Sequence, residues 1–314
     1  MEVTKLNLVF AGTPEFALPT LEALYENGHN ISLVITQKDR PRGRGKKLKP
    51  TPVKKKALEL GLEVYQPDSI NSQESIEILK NIAPDCIVVI AFGQILKKEV
   101  LNLPKYNCIN IHASLLPKYR GAAPINWAII NGETETGITI MKMDEGLDTG
   151  PILNMKSIPI EDTDDSISIH DKLSVLGGEM ILETLRDLEK NTIKEIPQND
   201  SLSTYAPILT KETGKINWND SGVKIINLIR GLKPWPSAFT IYNGENLKIH
   251  EARRIPKFIE GDNGAIVKIS DEGVFVNCKD ESIVIEVLQF PGKRKMHVSD
   301  YLRGNEIDPQ VKLV

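Results

Sequence analysis

Over its first two hundred residues the chain alternates short β-rich apolar runs with stretches of helical period, and this restricts the fold more than any other feature. Strands are expected at Leu6–Ala11, Ile31–Thr36, Glu63–Gln66, Cys86–Ile90 and Cys108–His112. Helices are expected between them, at Glu15–Asn27, Val53–Leu60, Ser72–Ile82 and Pro124–Ile130. Alternation at this spacing is the pattern of a doubly wound α/β domain, a mostly parallel sheet with helices on both faces. The runs CIVVIA and NLVFAG are apolar almost throughout, as strands covered on both faces must be. From Gly137 to Ile158 the pattern reads as two strands around the loop DEGLDTG. A long helix follows, roughly Ser166 to Leu188, with Ile169, Leu173, Leu176, Ile181 and Leu185 on one face.

The period then fades in PQNDSLSTYAPIL, rich in Pro, Ser and Asn, which reads as a linker. Beyond it come several short strands at turn-punctuated spacing, the mark of a small β-barrel or sandwich. The expected division is therefore 1–196, a linker at 197–209, and a β domain at 210–314. A chain of 314 residues with 40% hydrophobic content has ample core for two such domains. Its net charge of −3 gives no global signal for nucleic acid, so any such affinity must reside in a local patch. Cys86, Cys108 and Cys278 form no C-x-x-C pair, which suits a reducing, cytoplasmic compartment and argues against a metal site. Neither a leader nor a membrane span is read, since no apolar run is long enough. A monomer is expected.

Open α/β sheets bind ligands at the carboxyl ends of their strands, so those ends are where chemistry is sought. After the first strand only Gly12 stands where a dinucleotide fingerprint needs three glycines, and Thr13-Pro14 reads as an ordinary helix start. A nicotinamide enzyme is accordingly disfavoured. After CIVVI comes AFGQIL, a loop whose glycine permits close approach of a ligand. In NCINIHASLLPKYRGAAPINWAIING, Asn110 and His112 lie two residues apart and share one strand face. They are either a hydrogen-bonded core pair or the floor of an active site. Asp144, Glu145 and Asp148 in DEGLDTG are either turn residues or a source of a carboxylate for acid–base work. No G-x-S-x-G elbow is present, so a nucleophile would come from a substrate. An amide, an imidazole and a carboxylate then suit acyl transfer between two bound substrates, with donors to a developing oxyanion and a proton acceptor.

One further stretch stands out, TQKDRPRGRGKKLKPTPVKKK, in which Asp39 is the only acid. A charge run is most often a solvated face. This one follows directly on the strand Ile31–Thr36, and its Gly and Pro content reads as a mobile loop able to order on a phosphate backbone.

The segment NIHASLLPKYRGAAPINWAI, together with LDTGPIL, resembles the folate-dependent formyltransferase family. The likeness extends over nearly the whole chain, through FAGTPEFALPTLEAL, TYAPILTKETGKINW and IRGLKPWPSAF. It implies a Rossmann-like sheet followed by an OB-like barrel, with Asn110, His112 and Asp148 as the catalytic trio. It also implies 10-formyltetrahydrofolate as formyl donor, held by Phe92, Gly93 and Ile95, by Ser114, Leu115, Leu116 and Pro117, and by Met143, Asp144 and Glu145. The loop DRPRGRGKK is similar to that of family members acting on tRNA. Arg40, Arg42, Arg44, Lys46, Lys47 and Lys49, with the C-terminal barrel, would then hold initiator methionyl-tRNA, whose methionine α-amine accepts the formyl group. The competing expectation is an amino sugar or another small amine as acceptor. Phe16 is the candidate for a methionine pocket, and Asp148 is either general base or the partner of His112.

Overall fold

The computed structural model describes residues 5–42 and 47–314. The chain divides into two compact units. The first takes in the chain up to Gly121, Thr136–Ile158 and His170–Tyr205; the second takes in Ala122–Glu135, Pro159–Ile169 and Ala206–Val314.

In chain order the elements begin with β1 (Asn7–Gly12), α1 (Leu18–Glu26), β2 (Asn30–Ile35), β3 (Arg40–Arg42), β4 (Lys47–Lys49), α2 (Pro52–Glu59) and β5 (Val64–Tyr65). They continue with α3 (Gln73–Ile82), β6 (Cys86–Ile90), α4 (Lys98–Leu101), β7 (Cys108–His112), β8 (Arg120–Gly121), α5 (Pro124–Ile130), β9 (Glu135–Lys142), β10 (Ile152–Pro159) and α6 (Ser166–Glu189). The remainder are β11 (Tyr205–Ala206), α7 (Gly222–Gly231), β12 (Ala238–Tyr242), β13 (Glu245–Ile255), β14 (Ile266–Ser270), β15 (Gly273–Asn277), β16 (Ser282–Gln289), β17 (Met296–His297) and α8 (Val298–Leu302).

The first unit is built on a seven-stranded sheet in the order β10-β9-β7-β6-β1-β2-β5. β5, β2, β1, β6 and β7 run parallel, and β9 pairs antiparallel to β7. Every residue of β6 is buried, and burying each Val or Ile side chain contributes about 1.5–3 kcal/mol, which holds this strand inside the sheet. Thr51 caps α2 by accepting from the Lys54 N–H at 3.0 Å, and Pro52 fits the first helical turn because it has no N–H to leave unpaired. Ser72 caps α3 in the same way.

Strand order reverses between β1 and β6, since β2 and β5 lie on one side of β1 and β6 and β7 on the other. That reversal opens a crevice at the carboxyl ends of the two strands. Across it, the Thr13 hydroxyl after β1 donates to the Phe92 carbonyl after β6 at 3.0 Å.

The stretch expected to be a mobile loop contains the two-stranded hairpin β3–β4. Its register sets Arg40 opposite Lys49 and Arg42 opposite Lys47. The foot of this hairpin is tied to α2 and to the segment after β5. The Lys54 ammonium donates to Asp39 at 2.8 Å and to Gln66 at 2.7 Å, and the Gln66 amide donates back to Asp39 at 2.8 Å. These donors, Lys54 first and then Gln66, hold the Asp39 carboxyl below the usual carboxylate range.

The second unit contains an antiparallel sheet in the order β12-β13-β16-β15-β14, with β17 added to β16. β12 and β13 are joined by Asn243-Gly244, both at positive φ, the turn chemistry that a tight hairpin demands. Trp218, Ile225, Ile229, Val276, Ile283 and Ile285 are in its core, and Trp218 satisfies its indole N–H on the Thr240 hydroxyl at 3.0 Å. Among the described residues no helix is long and apolar enough to cross a membrane.

Candidate active site

Asn110 and His112 stand on one face of β7, near its carboxyl end. Asn110 is half-buried and His112 is buried. Because β9 runs antiparallel, Lys142 at its end lies opposite Ile109, toward the start of β7. The loop that follows must therefore turn back along the sheet to reach the two polar residues, and it does. The Asn110 amide donates to Asp148 Oδ1 at 3.4 Å, and Asp148 Oδ2 lies 3.6 Å from His112 Nδ1. The same Oδ2 accepts the Gly121 N–H at 2.9 Å.

The fold leaves the imidazole one open nitrogen. His112 Nε2 is 2.9 Å from the Tyr119 carbonyl, which can only accept, so Nε2 carries a proton. The other ring nitrogen, Nδ1, is the one that faces Asp148.

Asp148 is held in a left-handed conformation, φ 53°. Around it the loop is tightly built. Asp144 Oδ1 accepts the Gly146 N–H at 3.0 Å and the Thr149 hydroxyl at 2.7 Å. A side chain at Gly150 would put its Cβ 1.8 Å from the Lys142 carbonyl oxygen, so only glycine fits where the loop rejoins the sheet. Sequence reasoning missed Gln198, which it assigned to the linker. The Gln198 amide donates to the carbonyls of Asp148 and Gly150, both at 2.8 Å.

The remaining residues expected at the site divide into two groups. Ser114 is fully buried and its hydroxyl donates to the Lys118 carbonyl at 2.7 Å. The Thr139 hydroxyl bridges the Ser114 carbonyl at 2.6 Å and the Leu116 N–H at 3.1 Å. Leu116 is buried, whereas Leu115 and Pro117 are partly exposed. The turn Ser114–Pro117 is thus fastened to β9 from within. The Phe92 carbonyl accepts from Thr13 and from Gln37, the Ile95 carbonyl from Asn71 at 2.7 Å, and the Met143 N–H donates to the Cys108 carbonyl at 2.8 Å.

Gly93, Asp144 and Glu145 are exposed. So are two large apolar side chains, Ile95 after β6 at 77% and Leu147 beside Asp148 at 54%. Phe16 is buried with its ring 5.2 Å from that of His170.

Of the expected tRNA contacts, Arg40 and Lys49 are exposed on β3 and β4. Arg42 and Lys47 occupy the paired backbone, and Arg44 and Lys46 lie outside the described residues. Lys54, Lys55 and Lys56 do not extend the basic run: they lie on α2 and pair with Asp39, Glu59 and Glu22 respectively.

Comparison with known proteins points to one family. The family model "Formyl transferase" matches residues 5–185, and "Formyl transferase, C-terminal domain" matches residues 208–306. The chain is 51% identical over 309 residues to a methionyl-tRNA formyltransferase of Clostridium acetobutylicum, covering 98% of this chain and 99% of that protein. It is 50% identical over 303 residues to a methionyl-tRNA formyltransferase of Caldanaerobacter subterraneus, covering 96% and 98%. Among solved structures it is similar to the sugar 3N-formyl transferase WlaRD, crystallised with dTDP and 5-N-formyl-THF, at TM-score 0.68 and 22% identity over 93% of this chain and 100% of that one. It also matches HypX from Aquifex aeolicus at TM-score 0.66 and 19% identity, over 98% of this chain and 51% of that one. At such identities the last two speak for the fold alone.

Proposed function

Because the chain belongs to the formyl transferase family, we propose that it transfers the formyl group of 10-formyltetrahydrofolate to the α-amino group of methionine carried on initiator tRNA. The observation that carries this reading is the convergence of Asn110, His112 and Asp148, on a strand and a loop, with no serine or cysteine nucleophile among them. Such a set stabilises charge and moves a proton, and it leaves the attacking atom to a substrate. The likeness to proteins of that name at half identity over full length supports the same acceptor.

The donor, when bound, supplies an electrophilic formyl carbon. The faces of its flat ring suit the exposed Ile95 and Leu147, and its polar edge suits the loops after β6 and β9. Asn110 has a second amide hydrogen beyond the one directed at Asp148, and it donates this hydrogen to the formyl oxygen as charge develops there. An α-amine titrates near roughly 7.7–8.0, and esterification of the neighbouring carboxyl lowers that, so the attacking amine is largely neutral without a strong base. As the new C–N bond forms, Asp148 takes the proton that the amine loses; the bond from the formyl carbon to the donor's nitrogen then breaks, and Asp148 returns the proton to that departing nitrogen. Assistance of this kind is worth on the order of 10²–10⁴-fold.

The hairpin β3–β4 supplies the acceptor side. Its register brings the like charges of Arg40 and Lys49 opposite one another, an arrangement that destabilises an isolated hairpin and that a phosphate backbone relieves. Formyl transfer from 10-formyltetrahydrofolate to methionine-charged initiator tRNA, with charged elongator tRNA alongside, tests the proposal. Preference for the initiator is expected. Transfer to neither tRNA, with folate still bound, would direct the reading to an amino sugar or another small amine.

A further inference from the structure

We propose that Gln198 is a positioning residue for formyl transfer, acting as a clamp that sets the Asp148 carboxylate against Asn110 and His112. This rests on the reading of those three residues as the reacting trio.

A glutamine side chain can donate two hydrogen bonds and accept two, and Gln198 makes all four. Its NH₂ group donates to the carbonyls of Asp148 and Gly150, at 2.8 Å each. Its oxygen accepts from Arg120 Nε at 3.1 Å and from Arg120 Nη2 at 2.8 Å. The orientation of the amide is thereby fixed, because a guanidinium only donates and a carbonyl only accepts. Arg120 is itself largely buried and is secured at its outer side by Asp200 at 2.7 Å.

The two carbonyls that Gln198 holds are those of Asp148 itself, which is at positive φ, and of Gly150 two residues on. A non-glycine residue keeps such a conformation only when its surroundings impose it. From the other side, the Gly121 N–H holds Asp148 Oδ2 at 2.9 Å, and Gly121 directly follows Arg120. One short stretch, Arg120-Gly121, therefore fixes the carboxylate directly and the loop backbone through Gln198. All four hydrogen-bonding positions of Gln198 are taken by protein groups, so its effect is exerted through where Asp148 sits.

Gln198→Glu separates this role from simple packing. Glutamate keeps the shape and the pairing with Arg120, yet it sets an oxygen against the two carbonyls in place of the donors. Kinetics with 10-formyltetrahydrofolate and charged initiator tRNA, together with thermal melting, would be measured for Gln198→Glu, Gln198→Ala and Asp148→Asn. For both Gln198 variants kcat is expected to fall by roughly 10–100-fold while KM for each substrate stays within about threefold, the signature of an interaction needed only in the transition state. Unchanged kcat in Gln198→Glu overturns the clamp, and so does a fall in kcat that tracks loss of folded protein in that variant. Should Gln198→Ala fail to fold, Gln198→Glu decides alone, since it retains the Arg120 pairing. An Asp148→Asn enzyme with undiminished kcat would instead refute the reading of the trio. A dead Asp148→Asn beside a fully active Gln198→Glu would refute the clamp alone.

Discussion

Replacing Asn110 by alanine tests the proposed donation of its amide to the transition state. The side chain is half-buried, and its hydrogen bond to Asp148 Oδ1 is long, at 3.4 Å. A hydrogen bond of ordinary length to a charged group contributes about 1.5–3 kcal/mol, and one at this limit contributes nearer 1 kcal/mol. For a domain of this size that lowers Tm by only about 2–4 °C. The catalytic effect is larger. Loss of one preorganised oxyanion donor removes about 2.7–4 kcal/mol of transition-state stabilisation, or 10²–10³ in kcat. Asn110→Asp makes the contrast sharper: the shape is kept, but an acceptor-only group faces the Asp148 oxygen, a repulsion on the order of 4 kcal/mol at an effective dielectric of about 20. Single-turnover transfer at saturating donor and charged tRNA, with melting curves alongside, measures both effects. The expected order of rates is wild type, then Asn110→Ala, then Asn110→Asp. A folded Asn110→Ala enzyme within tenfold of wild type would refute the oxyanion role, and so would an Asn110→Asp enzyme faster than Asn110→Ala.

The alanine quadruple of Arg42, Arg44, Lys46 and Lys47 should raise KM for tRNA and reduce the salt slope by about 0.7–0.9 for each phosphate no longer neutralised; an unchanged slope would remove the hairpin from the tRNA site. Thr139→Val takes the bridging hydroxyl from the Ser114 carbonyl and the Leu116 N–H, so a loss of about 2–4 kcal/mol is expected in urea unfolding, and a loss under 1 kcal/mol would contradict it. Burial pushes the Cys86 and Cys108 thiols well above their ordinary range, so in native protein both should resist iodoacetamide at about pH 8.5 and react only after unfolding. Alkylation of the native protein at either position would show that the sheet opens there.

The strands β6 and β7 and the helix α5 have the bounds that their apolar runs suggest, because residues buried on both faces leave little room for another reading. The hairpin β3–β4 is not legible in the same way: Arg-Pro-Arg and Lys-Leu-Lys have the composition of a solvated loop, and pairing overrides it. Strand direction is equally hidden. A period of two is the same for parallel and antiparallel neighbours, so the residues give no sign that β9 reverses and that the Asp148 loop must return along the sheet. Asn110 and His112 are legible as neighbours on one strand face, whereas the arrival of Asp148 beside them follows from that return. Gln198 lies 50 residues from Asp148 and 78 from Arg120, and no local pattern records such partners.

The bond from His112 Nε2 to the Tyr119 carbonyl has a consequence for proton traffic. A ring with both nitrogens open can relay, taking a proton on one side and delivering it on the other. Here the far nitrogen is closed by an acceptor that has no proton to exchange, so the imidazole is a dead end for conduction. Any proton that reaches Nδ1 must leave from Nδ1. The site therefore has no wire to bulk solvent through this residue.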